Sequence, residues 1–269
     1  SAGNVKTVSD TTDKGGDVSI RSGTSEKTSS GDLTIASPNA GTAGVTGKIE
    51  MTTGVSTSGV SGLIRLSSGK SVGGSSGLLS LSSGEATTGT SHHSGAILIG
   101  SGAASGSSGA ISITGGTGSG GPGGDLTLSA GNVKTVSDTT DKGGDVSIRS
   151  GTSAKTSSGD LTIGSPNAGD VASSISGAIT LSTGEGGSTS GNSGGITLST
   201  GLSSSNAGGI TLTVGSSSGD GGAVSINGGV STGGVGGNVA LVGGQATSTG
   251  NKNGGDIKLT SGESSKTSS

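Results

Sequence analysis

The chain has no cysteine, phenylalanine, tyrosine or tryptophan. Without cysteine there is no disulfide staple and no thiolate metal site. Without aromatics, the side chains that contribute most to ordinary cores are missing. Hydrophobic residues are scarce too, at 25%, about half the usual share. A core of normal thickness is therefore not expected. Charge is also thin: 12% of residues carry one, and the net charge of −3 provides no basic face for nucleic acid. No apolar run approaches the ~18 residues of a membrane span, and no leader is visible. Asn-x-Ser/Thr is absent, which excludes N-linked sugar and leaves O-linked sugar on the Ser/Thr loops open.

What remains is glycine, 62 residues of it, with serine and threonine filling much of the rest. Such a polar composition often signals disorder. Here, however, the aliphatic residues are not scattered. They fall into a Gly-flanked pattern of small or acidic residue, aliphatic, variable, aliphatic, variable, then Ser, Thr or Gly. It appears as "DVSIRSG" at Asp17, "DLTIAS" at Asp32, "KIEMTTG" at Lys48 and so on to "DIKLTSG" at Asp256, sixteen copies in all. First aliphatics of successive copies are 14 to 20 positions apart. Residues 1–41 and 129–169 are identical except at Glu26/Ala154 and Ala36/Gly164. That offset of 128 spans eight copies and gives a mean of 16 residues per copy. The array thus reads as one continuous repeat over 1–269, made of two related eight-copy blocks, 1–128 and 129–269. Both ends resemble mid-array stretches, so a segment of a longer repeat protein is expected.

Alternation over about five residues is a strand signal, reinforced by β-branched Ile, Val and Thr. Glycine at this frequency excludes helices. The expected fold is all-β: a parallel β-solenoid, or β-helix, of about 16 coils with about 16 residues per coil. Val18, Ile20, Leu33, Ile35, Leu161 and Ile163 would belong to two stacked aliphatic columns, a core one side chain deep. An antiparallel meander is the rival, but return limbs such as "GTGSGGPGG" have no side chains to pack.

The residue between the aliphatics would face outward. Eleven of sixteen are Ser or Thr, among them Thr34, Thr127, Thr162, Thr180, Thr197 and Thr211. A plain wettable hydroxyl ladder is the first reading. Flat ice-binding β-solenoids resemble it in their Thr rows, but Glu50, Arg65, Leu98 and Lys258 interrupt this one. Glu50 and Arg65, on adjacent copies, are expected to pair.

Asp125, Asp145 and Asp160 enter three consecutive copies, so stacking would bring their carboxylates near a shared cation such as calcium. The alternative is that each Asp bonds nearby turn amides, which needs no metal. "GTGSGG" at Gly116 is a chance match to a dinucleotide glycine pattern, since no helix follows. His92 and His93, the only histidines, sit in a long return loop and read as surface residues. Abundant serine makes any Ser-His-Asp arrangement uninformative. No cofactor is expected, and an enzyme is a distant reading: pectate-lyase-like β-helices often use aromatic sugar platforms, which this chain lacks.

The repeats "GGDVSIRSGTS", "SSGDLTI", "SSGAISI" and "GGITLSTG" resemble the long Gly/Ser/Thr-rich surface or fibre proteins of diatoms and related stramenopile algae. The resemblance implies an extracellular or cell-surface structural protein that associates with itself in a filament, appendage or adhesive strand. It brings no catalytic motif with it. A binding module for ice, calcium or a glycan is the alternative. The insertion "NVKTVSDTTDKGG" after Gly131 is a candidate lateral contact or decoration point.

Overall fold

The computed structural model describes residues 14–87, 92–133, 142–187, 191–247 and 252–262. The chain divides into two units, Ser1–Leu128 and Ser129–Ser269. Residues 134–141 of the insertion lie outside the described residues.

Among the described residues there is no helix and no strand. The expected all-β parallel solenoid is therefore corrected. A sheet needs neighbouring extended segments that exchange N–H···O=C bonds along their length. The backbone bonds found here are instead isolated and lie in the links between copies. Gly31 N–H donates to the Gly23 carbonyl, Gly124 to Gly116, Gly144 to Gly131, Gly159 to Gly151, Gly237 to Gly229 and Gly255 to Gly244, all at 2.8–2.9 Å. Each of these bonds holds the start of one copy beside the end of the copy before it. Parallel stacking would need start beside start, displaced by a whole aliphatic segment, or roughly 15–20 Å. The closed links are thus incompatible with the stacking that the alternation suggested. A meander would meet the closure but would show a ladder, and none forms among the described residues.

The aliphatic columns are corrected with the fold. No described residue is buried. Leu33, Ile35, Leu161 and Ile163 are 55%, 66%, 54% and 68% exposed, and Val18 and Ile20 more so. Their cover is nevertheless systematic. From the second copy onward the first aliphatic is 48–60% exposed and is always better covered than the second, at 59–84%. Val18 breaks the pattern at 72%. The residues ahead of this copy, 1–13, lie outside the described residues.

Candidate functional site

The recurring structural feature is the link. In all sixteen copies a glycine stands two residues before the first aliphatic, and a small or β-branched residue stands two after the second. On a period of two these positions share the face of the aliphatic pair. The structure brings them together across each link. A Cβ on Gly31 would lie 3.6 Å from the Ser22 Cβ, on Gly77 3.8 Å from Ser68, on Gly95 3.9 Å from Ser83, and on Gly177 3.4 Å from Ser165. The same pairing joins Gly62 to Thr53, Gly144 to Ala130, Gly194 to Thr183, Gly208 to Thr200 and Gly222 to Val214. Separations across these links run from 8 residues at Gly208 to 14 at Gly144, yet the closing positions stay the same. Length variation is therefore confined to the loop, as loop-closure entropy, which grows slowly with length, permits.

Two kinds of closure occur. Where glycine is the third residue after the pair, the backbone bond described above can form. In the second and tenth copies proline stands there, as Pro38 and Pro166. In those copies the hydroxyl closes the link instead: Ser37 Oγ donates to the Gly47 carbonyl at 2.8 Å, and Ser165 Oγ to the Gly177 carbonyl at 2.7 Å. The first link has both, because Ser22 Oγ also donates to the Gly31 carbonyl at 2.7 Å. Half-buried residues are few among those described, and Ser22, Ser37, Ala130 and Gly243 are four of them, all at closing positions.

Loop tips are held by short side-chain turns. Ser25 Oγ accepts from Thr28 N–H at 3.0 Å, and its duplicate Ser153 accepts from Thr156 N–H at 3.0 Å. Ser56, Ser71 and Ser231 each accept from the N–H of the glycine three residues on. Serine is favoured at such positions because its hydroxyl replaces a backbone acceptor.

The hydroxyl-row residues Thr34, Thr127, Thr162, Thr180, Thr197 and Thr211 are all exposed. Glu50 pairs with Lys48 of its own copy rather than with Arg65. Asp17 and Asp145 pair with Lys14 at 2.9 Å and Lys142 at 3.0 Å. These partners are side chains three residues earlier, not the turn amides. Among the described residues no three His, Asp or Glu lie close enough to hold a metal ion, so Asp125, Asp145 and Asp160 form no such group. His92 and His93 are exposed. No described helix is long and apolar enough to cross a membrane.

The pairing of the −2 glycine with the +2 small residue is what the reading of the sequence missed. Its signal was present: the period-two row extends one step beyond each end of the aliphatic pair, as G-x-φ-x-φ-x-σ, where φ is aliphatic and σ is Ser, Thr, Ala, Val or Gly. The chain matches no known protein family, no curated protein and no solved structure.

Proposed function

We propose that this is a structural repeat protein of an extracellular or cell-surface fibre, whose work is to associate with other chains rather than to transform a substrate. One observation carries the reading. Every copy presents an aliphatic pair that the chain itself leaves mostly in water. An isolated polypeptide with so many uncovered aliphatics at fixed positions is incomplete by the ordinary logic of burial. Sixteen-fold repetition of the same unit suits a scaffold better than a single binding site. The motif resemblance to algal surface proteins supports the extracellular setting.

The test is association itself. Purified chain, concentrated stepwise and followed by light scattering with electron microscopy, is expected to form elongated assemblies above a threshold concentration. Chains that remain single up to their solubility limit would refute the reading.

A further inference from the structure

We infer that the surface through which the chain assembles is the set of aliphatic pairs, that its occupant is the same set on a second copy of this chain, and that the two copies associate at offsets of whole repeats. This rests on the fibre reading and adds the residues and the mode.

The choice of occupant follows from three observations. The first is area. A large aliphatic side chain has roughly 100 Å² to remove from water. Thirty-two of them, 48–84% exposed, leave roughly 1,500 Å² or more per chain. A stable interface needs only about 800 Å² per partner, so a fraction of the copies is sufficient. The second is charge. A net charge of −3 spread over 269 residues sets up little repulsion between identical chains and offers no attraction to a strongly charged partner. The third is repetition. The links close through the same two positions whatever their length. Successive pairs therefore follow one another through equivalent junctions, and a partner must present aliphatic pairs through the same junction. A second copy of this chain does so.

The mode follows from that equivalence. Because the links close through the same two positions, whether by backbone bond, hydroxyl bond or contact, a shift by one copy replaces each pair with another of the same kind. Staggered chains leave unpaired copies at both ends, and each end accepts a further chain. Such an association does not close on itself, and growth is open-ended.

The experiment compares the native chain with two sixfold variants by sedimentation velocity and electron microscopy. One replaces Ile35, Leu66, Ile99, Leu128, Ile163 and Leu198 by serine. The other replaces Thr34, Thr127, Thr162, Thr180, Thr197 and Thr211 by asparagine. Amide exchange at Gly31 and Gly159 checks that the links of each variant remain closed. The threshold for assembly is expected to rise at least ~10-fold in the aliphatic variant and to stay within ~2-fold in the hydroxyl variant. Native assemblies are expected to have a broad length distribution, and sulfate is expected to lower the threshold more than sodium chloride does. Equal thresholds for the native chain and the aliphatic variant would overturn the inference while leaving the fibre reading in place. A larger rise in the hydroxyl variant would do the same. A native chain that stops at a discrete dimer would overturn the staggered mode. A native chain that never associates would overturn both readings.

Discussion

The Gly31 N–H donates to the Gly23 carbonyl at 2.9 Å, and the identical bond recurs 128 residues later between Gly159 and Gly151. The repeat in sequence is thus a repeat in hydrogen bonding. The same closure accommodates an intervening Glu26 in one block and Ala154 in the other, because both lie at the loop tip and not at the closing positions. Such junctions are where substitution is expected to be felt.

Glycine is required at some closing positions and merely tolerated at others. A Cβ on Gly115 would sit 2.2 Å from the Gly124 carbonyl oxygen, which no backbone adjustment short of opening the link relieves. A Cβ on Gly31 would meet its nearest atoms at 3.6 Å, an ordinary contact. Gly115→Ala is therefore expected to open its link, and Gly31→Ala to leave its link closed. Amide exchange at Gly124 is expected to accelerate about 5- to 10-fold in the first variant, the equivalent of about 1 kcal/mol for one net hydrogen bond. Exchange at Gly31 in the second is expected to change little. Similar behaviour in the two variants would show that the close approach at Gly115 does not govern closure.

The serine hydroxyls are expected to matter in proportion to what else closes their link. At Ser37 the hydroxyl is the donor to Gly47, and proline at position 38 stands where other copies have glycine. At Ser22 the hydroxyl acts beside a backbone bond. Ser37→Ala is expected to widen the 37–47 link, and Ser22→Ala to loosen 22–31 only slightly. Each hydroxyl contributes about 0.5–1.5 kcal/mol net at most, since water competes for both partners. Paramagnetic distance measurements between labels flanking each link would read the difference. Equal widening in both would mean that the backbone bond adds nothing.

How the chain was legible, and where it was not, comes down to what alternation specifies. The aliphatic pairs and the sixteen-fold repeat were readable from residue order. Alternation fixes which residues share a face, and it does so for an extended segment whether or not a neighbouring strand exists. It does not say what lies against that face. Stacking Val18 over Leu33 required the start of one copy to sit over the start of the last. The Gly31 to Gly23 bond puts it beside the end. That bond joins residues at the edge of the pattern, which the aliphatic signal does not reach. The same limit applies to Glu50. Stacking would place its partner on the neighbouring copy, whereas Lys48, two residues away, is nearer along the chain.

One turn is strained. In the link after the tenth copy, Ser174 N–H donates to the Val171 carbonyl at 3.1 Å, and Ser173 has φ of 68°. A non-glycine residue there is in the left-handed region, where Cβ crowds the following carbonyl. The corresponding turn in the first block is made by Gly41 and Gly44 and lies in a shorter link. Ser173→Gly is expected to tighten the turn by several tenths of a kcal/mol, and Ser173→Val to weaken it by about 1–2 kcal/mol. The temperature coefficient of the Ser174 amide is the readout. A valine variant with an unchanged coefficient would argue that this turn is not what holds the link.

The last prediction concerns how the chain melts. A folded monomer of this mass exposes about 10,000 Å² and its unfolded chain about 35,000 Å². The chain exposes 26287 Å², with no buried core among the described residues. Roughly a third of the change that an ordinary domain undergoes is left to occur on unfolding. A domain of this length would release about 3–4 kcal/mol/K in heat capacity, so the dilute chain is expected to show about a third of that or less. The links open separately, those with a closing bond being held by only one or two hydrogen bonds, so no sharp heat-absorption peak is expected below the assembly threshold. Above it the aliphatic pairs enter a common interface. A cooperative transition is then expected, with a midpoint that rises with chain concentration, because association stabilises only the assembled state. Scanning calorimetry across the threshold checks both halves. A sharp transition in the dilute chain, with a midpoint independent of concentration, would mean that the single chain covers its own aliphatics and has no need of a partner.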